Sequence, residues 1–238
     1  MSGTELLYAI AAAAANLLGA LAVTMRARWT MRAFDAILSL AAGFLISVSL
    51  VDLFPGAIAR AGTKGAIVAL AAYVLVHLTQ HTIGGHFHFG EETHQVSGVV
   101  SVTALVGLLM HTFVDGVAMA SAVRVGQGLG AIVFVAVLLH KFPEGLAISS
   151  LFLAAGASRS KAIGASLALG LTTIVGVILT DYLGLLREYG LAISAGVTLY
   201  VGASNLVPEF QNKKGLRIPA SFVSGCGLYF LARAIAVD

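Results

Sequence analysis

A single cysteine, Cys226, stands in the whole chain. It excludes an intrachain disulfide and any paired-thiolate metal clip, and its place in an apolar stretch points to packing. Charge is as scarce: Asp, Glu, Lys and Arg make up 11% of the 238 residues, against roughly 25% in soluble domains. No hydrophilic segment is long enough for a soluble domain, since the longest runs only from about Gly84 to Gln95. Nucleotide-binding loops and an H-E-x-x-H helix are missing too, which argues against ATP as an energy source and against a common zinc-hydrolase design. The net charge of +3 comes from Arg and Lys in short connections and suggests topology and lipid contact, with no sign of a nucleic-acid surface.

What remains is apolar. Hydrophobic residues supply 58% of the chain and the mean hydropathy is +0.95, as expected of an integral membrane protein. Apolar runs lie at about residues 6–25, 34–54, 65–82, 96–123, 129–155, 162–184, 190–207 and 217–236, most near the ~20 residues a helix needs to cross a bilayer. The fold class expected is an all-α bundle of eight transmembrane helices in one domain, 1–238. The first run has no basic residue before it and is long enough to span, so it reads as a span and not as a cleavable leader. In the last run Arg233 is expected to snorkel toward the interface.

Eight crossings place both termini on one side. Arg26, Arg28, Arg32, Arg159, Lys161, Lys213, Lys214 and Arg217 fall in the connections of one face, and Arg60, Lys64, Arg124, Arg187 and Arg233 in those of the other. The richer face is expected in the cytoplasm, which puts both termini outside the cell membrane, with interfacial Trp29 in a cytoplasmic loop. The 84–95 segment then also faces the cytoplasm. It carries His86, His88 and His94 with Glu91 and Glu92, a set that either binds a borderline metal weakly or is a solvated turn.

Two matching patterns sit inside the fourth and fifth runs: His111-Thr112-Phe113-Val114-Asp115-Gly116 and His140-Lys141-Phe142-Pro143-Glu144-Gly145. Each sets a histidine four residues before a carboxylate, so both side chains share one helix face. Insertion scales charge roughly 2.5–3.5 kcal/mol for an Asp or Lys near the bilayer centre, so ionisable groups at this depth point to function. A divalent cation shared by two imidazoles and two carboxylates would compensate their polarity. Such a site suits Zn²⁺, with Fe²⁺, Mn²⁺, Co²⁺ and Cd²⁺ as alternatives, and should weaken in acid as the histidines protonate. Pro143 removes one helical hydrogen bond and frees the Leu139 carbonyl beside the site. Gly116 and Gly145 allow close helix approach. Two carboxylates against a +2 ion leave the site neutral, as a carrier requires. The rival reading is an intramembrane zinc-dependent hydrolase, with the metal activating water.

These motifs resemble those of the ZIP (Zrt/Irt-like) metal transporters, whose fourth span carries an H-N-x-x-D/E-G type motif and whose fifth carries H-x-x-P-E-G. The likeness extends to Asp52-Leu53-Phe54-Pro55 closing the second span and Leu206-Val207-Pro208-Glu209 in the seventh. The resemblance implies that His111, Asp115, His140 and Glu144 are the transport-site ligands. It also implies a homodimer in which spans one, four, five and six move as an elevator against two, three, seven and eight, without a resident cofactor or enzymatic activity. Uptake into the cytoplasm is implied by the same likeness alone.

Departures from the pattern matter. Thr112 stands where Asn is common, Thr173 about where some members have Glu, and Lys141 where a binuclear member has a carboxylate. An ammonium cannot ligate and repels a second cation, so one ion per protomer is expected, with Lys141 either paired to Asp115 or Glu144 or snorkelling. Asp52 and Glu209 either line a mouth of the pathway or are solvated helix ends. His77 reads as a packing residue, and Ser149 and Ser150 either face a hydrated ion or bond back to their helix.

Overall fold

The computed structural model describes residues 3–25, 31–82, 98–213 and 215–237. The His86, His88 and His94 segment lies outside them, as do Trp29, Arg26 and Arg28. All described elements are helical: α1 (Gly3–Thr24), α2 (Met31–Val48), α3 (Phe54–Ala61), α4 (Thr63–Thr82), α5 (Gly98–Val125), α6 (Gln127–Ala154), α7 (Arg159–Tyr182), α8 (Gly184–Tyr200), α9 (Val207–Gln211) and α10 (Arg217–Val237). Among the described residues, seven helical stretches are long and apolar enough to cross a bilayer. The eighth expected span is α8, whose 17 residues continue through a π-helical turn into α9.

Two prolines explain where these boundaries depart from the sequence reading. The second and seventh apolar runs are expected to close at Pro55 and Pro208, because proline lacks the donor a helix needs. The chain stays helical past both. A π turn at Ser49–Leu53 precedes α3, and another at Val201–Leu206 precedes α9. The next backbone N–H in each case, of Phe54 or Val207, donates five residues back, to Ser49 or Gly202. The wider turn takes up the proline ring without ending the helix.

The helices sort into two groups by how they touch. In the first, α1 packs on α6 and α5 on α7, and each pair brings glycine against a neighbouring backbone carbonyl. Gly19 meets Phe142, Gly145 meets Asn16, Gly116 meets Thr173 and Gly176 meets Phe113. A Cβ at any of these positions would overlap that carbonyl, so only glycine permits the approach. The second group repeats the device. Gly43 lies on Phe222 and Gly225 on Leu40 between α2 and α10, and Gly196 lies on Ala69 between α8 and α4.

Polar contacts follow the same division. In the first group, Ser166 Oγ donates to Asn16, 2.9 Å from its carbonyl, Ser149 Oγ donates to the Ala162 carbonyl, and Arg124 pairs with Asp181. In the second, Ser49 Oγ donates to the Ala195 carbonyl at 2.7 Å, Ser221 Oγ to that of Ala36 at 2.6 Å, and Lys213 pairs with Asp35. Cys226 packs at the α2–α10 contact, with Sγ 3.5 Å from the Gly43 carbonyl. Between the groups, α5 runs along α8, and α6 along α2 and α10. There the closest approach of a glycine, Gly190, is to the side chains of Ser121 and Val117.

Candidate metal centre

Helices α5 and α6 bring the two sequence patterns together. His111 and Asp115 lie one turn apart on α5, and their 3.3 Å separation, Nε2 to Oδ2, is the i,i+4 contact the spacing predicts. His140 and Glu144 repeat the spacing on α6, where His140 Nε2 turns to Asp115 and Glu144 Oε2 to Lys141. The His111 and His140 rings face each other with centroids 5.4 Å apart. One potential ligand atom from each of His111, Asp115, His140 and Glu144 falls within 4.8 Å of the others, and all four residues are buried.

The hydrogen bonding of the centre is incomplete in a telling way. His140 Nδ1 lies 2.8 Å from the Ala136 carbonyl, one turn back on its own helix. A carbonyl only accepts, so Nδ1 carries the proton, and in a neutral ring the lone pair is on Nε2. That lone pair points at Asp115 Oδ2, 3.3 Å away. Two acceptors in the membrane interior gain by such an approach only with a proton or cation between them. Glu144 Oε1 and His111 Nδ1 are buried with no hydrogen-bond partner among the described residues. A histidine fixed through one nitrogen by a backbone carbonyl, with the other presented inward, has the arrangement typical of a metal ligand.

Lys141 is the local counter-charge. It is 0% exposed, and its Nζ lies 2.7 Å from Asp115 Oδ2 and 2.8 Å from Glu144 Oε2. Of the two expectations for this residue, pairing rather than snorkelling is what the structure shows, and it pairs with both carboxylates at once. Opposite charges at this distance offset the desolvation of burial only when they touch directly, as here.

The remaining candidates lie elsewhere. Thr112 and Thr173 turn their hydroxyls to backbone carbonyls of their own helices, Leu109 at 3.0 Å and Leu169 at 3.2 Å. Ser150 likewise bonds back, to Leu146. Asp52 accepts from Tyr229 Oη at 2.6 Å and from Arg233 Nε at 3.1 Å, so the arginine expected to snorkel is joined to a carboxylate of the α2–α3 turn. Glu209 lies in α9, with its side chain outside the described residues. His77 packs its ring on Tyr200.

Two residues absent from the sequence-derived site set stand beside the centre. A narrow cavity of about 30 Å³ is lined by His111, His140 and Glu144 on one side and by Gln80, Asn205 and Leu206 on the other. Gln80 lies in the last turn of α4 and accepts from Tyr200 Oη at 3.4 Å, while Asn205 lies in the π turn before Pro208. The cavity therefore sits on the boundary between the two helix groups. The sequence names no partner for Asn205. Nothing local marked Gln80.

A multi-pass helical bundle with imidazoles and carboxylates buried at its centre defines a class of membrane protein that handles metal cations inside the bilayer. The chain matches the family model described as ZIP zinc transporter over residues 76–232, a stretch that includes both motifs. It belongs to that family, and so among membrane transporters of divalent metals. A comparison with curated proteins gives no match.

Proposed function

We propose that this protein carries one divalent transition-metal ion at a time, zinc foremost, into the cytoplasm, using His111, Asp115, His140 and Glu144 as ligands. The observation that carries this reading is the gathering of one ligand atom from each of the four buried residues within 4.8 Å, beside the unpartnered oxygen of Glu144. Tetrahedral zinc with bonds of 2.0–2.1 Å places its ligand atoms about 3.4 Å apart. The four donors, within 4.8 Å of each other, would need a modest closing movement. The metal would also compete with Lys141 for the two carboxylates. In the empty site Lys141 leaves one negative charge over, and a loaded site with the lysine still in place would carry one positive charge, not the neutrality expected from the two carboxylates alone. The ammonium therefore argues against a second cation.

Elevator movement fits the division of the helices. All four proposed ligands belong to the group α1, α5, α6 and α7, so a rigid displacement of that group keeps the ligand set whole. The glycine contacts lock helices within each group, while side chains line the boundary at Gly190. A cell-membrane location with both termini outside, and a homodimeric assembly, complete the proposal. The hydrolase alternative gains no support from a centre where an ammonium, not an open coordination position, lies between the carboxylates.

Zinc flux into liposomes holding the purified protein tests the function. Wild-type protein should admit zinc down its gradient, and His140→Ala and Glu144→Ala should each abolish the flux. Unchanged flux in both variants would remove the reading.

A further inference from the structure

At one membrane face, far in sequence from the metal motifs, a cleft of about 510 Å³ opens between the α3–α4 corner and the first turn of α8. Arg60, Lys64 and Arg187 line it with Glu188, Tyr189 and Gly184. Three cations against one carboxylate, Glu188, leave the cleft at +2. Two helix N-termini add to the same field. Neither α4 nor α8 has an acidic residue in its first turn, where carboxylates are ordinarily favoured, and Lys64 and Arg187 stand there instead. Arg124, at the end of α5, lies within electrostatic reach of Arg187, Arg60 and the carboxylate of Glu5, and is paired with Asp181.

A positive charge of +2 that the described residues lining the cleft leave over calls for an anion from outside. Around the cleft the surface is apolar: Leu185 is 66% exposed, Tyr182 78% and Ile67 60%. A ligand that joins an anionic phosphate to hydrocarbon would satisfy both surfaces. We propose that this cleft binds the headgroup phosphate of an anionic phospholipid, with its acyl chains on the exposed faces of α4 and α8. All three cations lie in the helix group that lacks the metal ligands, so the lipid holds that group at the bilayer surface while the other moves.

Native mass spectrometry of the delipidated full chain, titrated in turn with dioleoyl-phosphatidylglycerol, dioleoyl-phosphatidylcholine and inorganic phosphate, tests the assignment. Phosphatidylglycerol should bind at least about tenfold more tightly than phosphatidylcholine, and each cation removed should weaken it by about fivefold. The triple variant R60Q/K64Q/R187Q should lose the preference, while Arg187→Lys keeps it. In the wild-type protein, raising the salt should release phosphatidylglycerol selectively, a readout that needs no variant to fold. Equal binding of the two lipids, unchanged phosphatidylglycerol binding by the triple variant, or saturation by inorganic phosphate without lipid retention would each overturn it.

Discussion

The helix group α1, α5, α6 and α7 and the group formed by α2–α4 with α8–α10 use the same packing device, glycine against backbone carbonyl, yet they bury different chemistry. The first buries His111, Asp115, His140, Lys141 and Glu144, with His111, His140 and Glu144 turned to the cavity at the boundary. The second fills its interior with residues such as Phe44, Tyr200 and Tyr229, and sets ion pairs toward its edges, Lys213 with Asp35 and Arg233 with Asp52. The contrast shows where rigidity and function part. A site made wholly on one group survives movement against the other, and a partner group held by apolar packing and edge ion pairs can serve as the fixed wall.

The largest effect expected from breaking this contrast is at the ligands. Glu144→Gln removes a charged donor, and zinc affinity by isothermal titration should fall more than about 100-fold, beyond what loss of an outer contact produces. Asp52→Asn in the other group should leave that affinity unchanged. Next comes Lys141→Met, which strands two buried carboxylates. The metal-free protein should lose about 3–5 kcal/mol of stability, and zinc should raise the melting temperature by more than it does in the wild type, because the cation no longer competes with the lysine. An unaltered zinc-induced shift would show that Lys141 and metal do not share the carboxylates.

Packing gives a sharper and smaller test. Gly116→Val forces a branched side chain into the Thr173 carbonyl, and overpacking of this kind costs about 1–3 kcal/mol or more. Gly190→Ala meets the movable Ser121 and Val117 side chains instead. It should cost under about 1 kcal/mol in thermal unfolding while slowing zinc flux, since it roughens the boundary. Equal destabilisation by the two would erase the distinction between locked pairs and a sliding seam. Asn205→Leu is expected to have the least effect: flux reduced a few-fold, with zinc affinity unaltered.

How much of this was legible in the chain depends on range. The spans and both His–carboxylate pairs follow from spacing along single helices, and the pairing of Lys141 with Glu144 is an i,i+3 contact that spacing allows. Asp115 stood as the alternative partner, and that the ammonium holds both carboxylates at once, across two helices, needed the fold. Arg124 and Asp181, 57 positions apart, meet only because α5 packs on α7. Helix continuation through Pro55 and Pro208 was hidden because proline ordinarily signals a stop, and the π turns that carry the chain past it have no spacing signature. Gln80 was illegible for a related reason: a polar residue near a helix end looks solvated until another helix closes over it.

An anomalous-difference map from crystals of the zinc-loaded protein tests the central claim most directly. One peak per protomer is predicted, bonded to His111, Asp115, His140 and Glu144 at about 2.0–2.2 Å. A peak bound elsewhere, with these four side chains holding no metal, would contradict it.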